Sequence, residues 1–433
     1  MSPLLQLVIF SIVALSSAAW VARRDLLVGG FMAAFYLYVV IALAGYQFFP
    51  LLSIALSLYL GPQVFPIAVG FVTLSFIAFT VGFVALHPRL VRPGWLPVRF
   101  VRAPKATLVA GVGVASILAT MLVVFLRDYE RIGYASDPQI PSLFLALAFK
   151  QSPALILALW AFTRHHASPG PSRQLGALLL ASATMVFAAI ASRSGNRTDV
   201  VALGMALVAY ELWPIVTDRR GGLEPRALLP DWRVARTFAV VALVVAAAGW
   251  FINRNYATRG SGTAVQEMPL FARVLYNDYF TPAHMLFGAI GLDWVRPADV
   301  VRSNAANAVF LGRATGQPYL QQDIGNTLSP GSSTRSGSFG YYIFTEGYMF
   351  AGRWGFLYNG VVPLLGLLLW RRLSTTSAPR ANQFWAAFTA MFFLNIARSQ
   401  SALLLRYLLL NGITAGILFA LMSGARIGRE REA

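Results

Sequence analysis

Residues 3–46 read PLLQLVIFSIVALSSAAWVARRDLLVGGFMAAFYLYVVIALAGY. Two uncharged apolar stretches, 3–22 and 26–46, flank the charged triplet Arg23-Arg24-Asp25. Each stretch has about the 20 residues that an α-helix needs to cross the hydrocarbon core of a bilayer. This segment therefore predicts two membrane-spanning helices joined by a short basic loop.

The same pattern continues along the chain and predicts an all-α polytopic membrane protein with about 11 spans, in a range of about 10 to 13. The remaining apolar stretches lie at 66–86, 107–126, 142–162, 175–192, 199–217, 237–253, 354–370, 383–398 and 402–421. The stretch 47–65 is also apolar, but Pro50, Gly61 and Pro62 interrupt it. It predicts either an interfacial or re-entrant piece or one further span.

The composition excludes several classes of protein. Of the 433 residues, 57% are hydrophobic and 12% are charged, against roughly a quarter charged in soluble domains. The mean hydropathy is +0.62, so much of the surface must face something other than water. The absence of cysteine excludes disulfides, thiolate nucleophiles and Cys-ligated metals. No Walker loop, Rossmann fingerprint or HExxH motif is present, so ATP-driven chemistry is not supported.

The net charge of +18 comes almost entirely from arginine, because Lys105 and Lys150 are the only lysines. No basic soluble domain is visible that would bind a nucleic acid, and no nucleic-acid partner is expected. In a membrane protein, two physical causes account for such a charge. Basic cytoplasmic loops set the topology, and arginines elsewhere hold an anionic substrate.

The basic loops predict the topology, because loops rich in arginine and lysine stay in the cytoplasm. Such loops are 23–24, 87–106, 163–174, 218–236, 371–382 and the C-terminal tail. With eleven spans they all fall on one side, which predicts a periplasmic N-terminus and a cytoplasmic C-terminus. The chain then divides into transmembrane helices 1 to 8 (1–253), a long periplasmic segment (254–353), and the last helices with a basic tail (354–433).

The long segment 254–353 is too polar to span a membrane and too long to be a simple connection. Its apolar patch from Met285 to Leu292 predicts short interfacial helices, and its Gly/Ser run from Ser329 to Gly340 predicts a flexible lid. Its tyrosines and tryptophans are candidates for stacking on sugar rings or for an interfacial aromatic belt.

Arginines on the periplasmic face need a reason other than topology. Arg193 and Arg197 lie in the short turn between two predicted helices, and the N–H groups that begin the second helix favour an anion. Arg254 and Arg259 repeat this arrangement at the start of the long segment. A guanidinium matches phosphate oxygens bidentately. The alternative for each arginine is that it only reaches lipid headgroups.

Glu346 is the candidate general base. It lies in FTEGYMFAGRWG (344–355), directly before a predicted span. A carboxylate in this place is able to take the proton of a sugar hydroxyl or to orient an arginine. The alternative is a salt bridge to Arg353 or Arg335 that only holds the loop.

These segments together resemble a known family. The turn and apolar helix from Ser194 to Tyr210, the long outer segment, and the core E-G-Y-x-F-x-G-x-x-G beginning at Glu346 resemble Wzy-type O-antigen and oligosaccharide repeat-unit polymerases. The resemblance covers the C-terminal half, while the N-terminal half matches only in hydropathy.

The resemblance implies a bacterial inner-membrane glycosyltransferase with a GT-C-like fold that needs no metal and no nucleotide. It would transfer the growing glycan from undecaprenyl diphosphate to the hydroxyl of an incoming lipid-linked unit, on the periplasmic face. A flippase and a chain-length regulator would be its partners. The implied site residues are Glu346, Arg193 and Arg197 for catalysis, and Arg254, Arg259, Arg335 and Arg398 for the diphosphate.

Two other functions stay open. An O-antigen ligase shares this chemistry but transfers the glycan to the lipid A core, and it usually depends on a loop histidine, for which His284 is the candidate. A flippase for lipid-linked oligosaccharides would instead line a two-sided cavity with its arginines. The clustering of the unexplained arginines on one face favours an enzyme.

Overall fold

The computed structural model describes residues 2–48, 61–91, 98–100, 106–126, 143–165, 171–193, 197–217, 281–308, 343–393, 411–423 and 425–427. The helices in these ranges are α1 (Pro3–Ala22), α2 (Leu26–Phe48), α3 (Val64–Leu90), α4 (Ala106–Leu126), α5 (Leu143–His165), α6 (Pro171–Arg193), α7 (Arg197–Thr217), α8 (Thr281–Gly291), α9 (Pro297–Ala308), α10 (Ile343–Ala351), α11 (Gly355–Ser374), α12 (Pro379–Ala390) and α13 (Gly412–Ser423). A 3-10 turn, Gly352–Trp354, links α10 to α11, and two short strands, β1 (Val98–Phe100) and β2 (Ala425–Ile427), pair antiparallel.

The described parts of the predicted spans are almost wholly helical. Among the described residues, four helices are long and apolar enough to cross a membrane: α1, α2 over Leu26–Gln47, α3, and α4 over Val109–Leu126. Apolar side chains on these helices point outward, as for Ile12 and Leu126, which are 61% and 70% exposed. Such surfaces suit lipid rather than water. The chain is an all-α membrane protein, while the count of about 11 spans stays a prediction. The segment 49–60, within the interrupted stretch, lies outside the described residues.

The chain forms two compact units, each assembled from separate segments. The first contains Met1–Arg92, Ser261–Arg372 and Phe392–Tyr407; the second contains Pro93–Gly260, Leu373–Met391 and Leu408–Ala433. The predicted division follows the order of the chain, whereas these units join segments that are distant in sequence. In particular, Ser261–Arg372, which includes most of the predicted segment 254–353, shares a unit with Met1–Arg92.

The core of the first unit is a stack of aromatic rings. The Phe35 ring lies parallel to the Phe344 ring with centroids 5.0 Å apart, and Phe31 stacks on Phe79 at 5.9 Å. Helix α11 approaches α3 closely, since a Cβ on Gly360 would come within 2.6 Å of the Ala78 Cβ. Flat rings and a glycine contact allow these helices to approach each other without polar groups.

Helix α8 corrects one expectation from the sequence. The apolar patch from Met285 to Leu292 predicts short interfacial helices, but Met285 to Ile290 are buried, and Leu292 at the end is 47% exposed. Phe287 packs edge-on against Tyr46 of α2 at 4.7 Å, and its ring lies tilted against Phe65 of α3 at 6.2 Å. A helix that is apolar all round is placed inside a protein, and α8 is a core helix of the first unit.

The second unit is held by helix pairs and by a few polar contacts. Helix α12 packs on α7, where Gln383 Nε2 donates to the Tyr210 carbonyl at 2.7 Å. Helix α13 packs on α5, and Phe384 of α12 stacks on Phe419 of α13 at 4.2 Å. In the antiparallel register of β1 and β2, Arg99 lies opposite Arg426.

A buried carboxylate joins three segments at one end of the first unit. Asp25 is 7% exposed, and its Oδ1 accepts the N–H groups of Leu27 and Val28, which open α2. Its Oδ2 lies 3.3 Å from His87 Nε2 and 3.4 Å from Arg371 Nε. Asp25, His87 and Arg371 lie in or beside the predicted cytoplasmic loops 23–24, 87–106 and 371–382, and the orientation of these loops stays a prediction.

Burial alone would raise the pKa of Asp25. The hydrogen bond with His87, the charge of Arg371 and the N–H of Val28 outweigh burial and lower the pKa from 3.8 to about 2. A carboxyl group with a lowered pKa stabilises the folded state above its unfolded pKa, and this stability is lost as the pH falls through the folded pKa.

We expect Asp25→Asn to lower the free energy of unfolding at pH 7 by about 2 kcal/mol, since a pKa unit corresponds to about 1.4 kcal/mol. Thermal unfolding of the purified protein in detergent measures this loss. The difference between wild type and variant should shrink as the pH falls from about 4 toward 2. Asp299→Asn, in the first turn of α9, is the control, for which a change below about 1 kcal/mol is expected. Equal losses for both variants would contradict the assignment.

Candidate active site

Glu346 is fully buried in the first turn of α10. Its Oε1 accepts the hydroxyl hydrogen of Tyr358 and the side-chain amide of Asn304. Asn304 Nδ2 also donates to the Tyr358 hydroxyl oxygen at 3.1 Å. Three helices, α9, α10 and α11, each contribute one side chain to this arrangement, which we call the Glu346 cluster. Both of these donors are neutral.

The close crossing of α10 and α11 places Glu346 beside Tyr358. A Cβ on Gly355 would lie 1.8 Å from the Gly347 carbonyl oxygen, and a Cβ on Gly347 would lie 2.2 Å from Asn359 Oδ1. Asn359 Nδ2 donates to the Phe344 carbonyl at 3.3 Å, which ties the two helices together. Only glycine fits at either position of this crossing.

Tyr348, two residues after Glu346, fixes the other side of α10. Its hydroxyl donates to Asp293 Oδ1 at 3.1 Å, and its ring packs edge-on against Phe71. Burial, together with the hydrogen bond and the charge of Asp293, raises the pKa of Tyr348 to about 12. The hydroxyl therefore stays protonated at neutral pH and keeps donating to Asp293.

Asp293 occupies a backbone conformation that usually needs glycine. Its φ is +47°, and it ends α8 with the two bonds of a Schellman motif, Trp294 N–H to the Ala289 carbonyl and Asp293 N–H to the Ile290 carbonyl. A residue other than glycine costs about 1 kcal/mol in this conformation. The carboxylate at this position is the acceptor of the Tyr348 bond, which glycine would not supply.

The end of α10 is fixed by backbone contacts. The Arg296 N–H donates to the Met349 carbonyl at 2.7 Å, and Phe350 packs on the Tyr358 ring at 4.9 Å. Gly352 has a φ of +55°, which starts the 3-10 turn. Each fixed position of the E-G-Y-x-F-x-G-x-x-G core thus has a defined contact or backbone requirement in the first unit.

Three buried polar atoms around α10 have no hydrogen-bond partner among the described residues: Asn304 Oδ1, Thr345 Oγ1 and Asn359 Oδ1. Leaving such an atom unsatisfied costs about 1–3 kcal/mol, so each one needs a physical reason. Asn359 Oδ1 faces the Gly347 backbone, whereas Asn304 Oδ1 belongs to the Glu346 cluster itself.

An aromatic cavity lies on the opposite face of α10. Phe344 and Glu346 are two positions apart, which is more than half a helical turn. The residues that line the cavity are Met32, Phe35, Ser75, Phe76, Phe79, Phe344 and Asn359. The polar cluster and the apolar cavity are therefore separated by the helix that carries both.

The structure describes only part of the predicted site. Arg193 ends α6 and Arg197 begins α7, both in the second unit. The side chains of these two arginines lie outside the described part of the chain. The other four predicted residues lie wholly outside it: Arg254, Arg259, Arg335 and Arg398. The Gly/Ser run 329–340 is outside it as well. These assignments stay predictions.

The predicted alternative for Glu346, a salt bridge to Arg353, differs from the arrangement found. Arg353 is exposed on the 3-10 turn, and the contacts described for Glu346 come from neutral side chains. Arg335, the other predicted partner, lies outside the described residues.

Sequence reasoning missed Asn304, Tyr358 and Asn359. A signal for two of them was present, because Tyr358 and Asn359 are consecutive polar residues inside the predicted span 354–370. Polar groups in such a segment are expensive and usually face a polar interior. Asn304 had no such signal, since it lies in a polar segment where asparagine is ordinary.

The Gly347–Gly355 crossing generates a sharp prediction. Gly355→Ala would force α10 and α11 apart, so we expect a lower thermal unfolding midpoint and displacement of Tyr358 from Glu346. Gly70→Ala is the matched control, because a Cβ at this exposed position of α3 meets nothing within 4 Å. Thermal unfolding of both variants checks this, and a Gly355→Ala midpoint equal to that of Gly70→Ala would contradict the crossing.

The comparisons with known proteins give no match: no family model, no curated protein and no solved structure matches the chain. The resemblance to repeat-unit polymerases therefore stays a prediction from the sequence motifs.

Proposed function

We propose that the chain is a bacterial inner-membrane glycosyltransferase that polymerises undecaprenyl-diphosphate-linked oligosaccharide repeat units on the periplasmic face. The observation that carries this proposal is the Glu346 cluster. A fully buried carboxylate accepts hydrogen bonds from two neutral side chains within the sequence core that resembles the polymerase family. Burying a carboxylate is costly, and a reaction that needs a base gives a reason for it.

The proposed reaction exchanges one bond at the anomeric carbon. Glu346 takes the proton of an acceptor hydroxyl, and the hydroxyl oxygen bonds to the anomeric carbon of the donor glycan. The bond from that carbon to the lipid diphosphate breaks, and the electron pair leaves with the diphosphate. The products are a glycan longer by the transferred chain and a free lipid diphosphate.

The leaving diphosphate needs positive charge, which the proposal assigns to arginines. Arg193 and Arg197 are placed at the end of α6 and the start of α7, where the N-terminus of α7 adds partial positive charge. Arg254, Arg259, Arg335 and Arg398 are the further candidates. Preorganised cations stabilise charge that develops in the transition state without a metal.

The membrane helices support the proposed setting. Helices α1 to α4 supply apolar surface for a bilayer, and a lipid-linked donor requires an enzyme at that surface. The proposed orientation puts the Asp25 end of the first unit in the cytoplasm. Helices α8, α9 and α10 belong to the predicted periplasmic segment.

The ligase and flippase hypotheses differ from this proposal in what they move and where. His284, the histidine that a ligase would use, lies in α8 between Ala283 and Met285, which are both fully buried. Purified protein given only lipid-linked repeat units separates the three functions: a polymerase makes longer chains, a ligase needs lipid A core, and a flippase moves the substrate across vesicles.

We expect Glu346→Gln, Arg193→Ala and Arg197→Ala each to abolish long-chain polysaccharide in cells while single repeat units accumulate on the lipid carrier. Glutamine keeps the shape of Glu346 but cannot take a proton, and alanine removes the positive charge that holds the diphosphate. Gel analysis of the glycan, at protein levels equal to wild type, measures the outcome. Arg372→Ala, a cytoplasmic arginine in the proposed topology, is the control. Full-length glycan ladders from the Arg193 and Arg197 variants would contradict their role in binding the diphosphate. A wild-type polymerisation rate from purified Glu346→Gln would contradict the role of Glu346 as the base.

A further inference from the structure

The hydrogen bonds of Asn304 determine which way its amide points. Asn304 Nδ2 donates to Glu346 Oε1 and to the Tyr358 hydroxyl oxygen. If the amide were turned over, its oxygen would face the carboxylate oxygen, which repels it. Nitrogen and oxygen of an asparagine are assigned from such networks, and this network allows one assignment.

Asn304 therefore has one kind of hydrogen-bonding capacity left. Its amide nitrogen is the donor to both Glu346 and Tyr358. The oxygen Oδ1 is buried and has no partner among the described residues. What remains at this position is an acceptor with two lone pairs beside a carboxylate.

Asn304 lies at the edge of the buried face of α9, and its Oδ1 is covered by the protein. On α9 the neighbouring Val300 and Ser303 are buried, while Arg302 and Ala305 are exposed. The half-buried Asn304 stands at the boundary of these two faces, in front of the fully buried Glu346. A group that bonds to Asn304 Oδ1 would thus be next to the carboxylate.

The acceptor oxygen of Asn304 and the adjacent carboxylate favour a ligand that donates hydrogen bonds. A diphosphate offers only acceptor oxygens and negative charge, so it would meet an acceptor and a carboxylate and be repelled. A sugar hydroxyl donates to Asn304 Oδ1 and carries no charge. We propose that Asn304 Oδ1 binds a hydroxyl of the acceptor glycan, so that the Glu346 cluster is a sugar subsite separate from the diphosphate subsite. This rests on the proposed function.

The test compares two probes on purified full-length protein in lipid nanodiscs. One probe is the oligosaccharide released by mild acid from lipid-linked repeat units of cells that lack the protein. The other is undecaprenyl diphosphate without sugar. Loss of one neutral hydrogen bond weakens binding by about 3- to 10-fold. We therefore expect Asn304→Ala to weaken binding of the oligosaccharide by that factor and to change binding of undecaprenyl diphosphate by less than about 2-fold.

Asn382→Ala is the matched control, because Asn382 makes purely internal bonds. Its Oδ1 accepts the Thr376 N–H at 2.8 Å and its Nδ2 donates to the Thr376 carbonyl at 2.9 Å. We expect this variant to lower the thermal midpoint without changing the affinity for the oligosaccharide. If Asn304→Ala does not fold, Asn304→Ser keeps a small polar side chain that is too short to span the cluster, and it should show the same selective loss.

The outcomes separate this inference from the proposed function. Unchanged oligosaccharide affinity in Asn304→Ala and Asn304→Ser, or a loss confined to undecaprenyl diphosphate, would overturn the sugar subsite. Wild-type protein that binds neither probe would overturn the proposed function as well. For Arg193→Ala we expect the opposite result, with weaker binding of undecaprenyl diphosphate and unchanged binding of the oligosaccharide.

Discussion

The first unit is organised around the cost of burying the Glu346 carboxylate among apolar helices. The carboxylate accepts hydrogen bonds from two neutral side chains, and those side chains come from α9 and α11. The glycine crossing of α10 on α11 places Tyr358 beside Glu346, and the bond between Tyr348 and Asp293 holds the other side of α10.

Asp25 and Glu346, two buried carboxylates of the first unit, accept hydrogen bonds from different kinds of donor. Asp25 is bonded by backbone N–H groups and lies beside a guanidinium and an imidazole, which together lower its pKa to about 2. Such a group is fixed in one charge state and holds helices together. Glu346 accepts from the neutral Asn304 and Tyr358 side chains, which orient the carboxylate. The contacts of Asp25 fit a structural role for this residue.

The long apolar helices could be predicted from the sequence, whereas only one member of the Glu346 cluster could be named from it. Stretches such as 3–22 and 66–86 predict helices because only a helix satisfies its own backbone in a membrane, and α1 and α3 lie there. Glu346 was predicted to be the candidate base because it lies directly before a predicted span, in a core that resembles the polymerase family. Its partners were not, since Asn304 is distant in sequence and its contact depends on how α9 packs on α10. The burial of α8 was missed for a similar reason, because an apolar patch fits a membrane surface and a protein core equally well until its neighbours are known.

The division of the chain into interleaved units has a consequence for how the protein is made. Asp25 and Arg371 are 346 residues apart, and segments of the second unit are synthesised between them. At about 5–20 residues per second, Arg371 leaves the ribosome roughly 20 to 70 seconds after Asp25. During that interval α1 to α3 are already present, with His87 but without Arg371 beside the carboxylate. The first helices therefore wait for α11, and then for Phe393, whose ring packs on Phe31, before the first unit is complete.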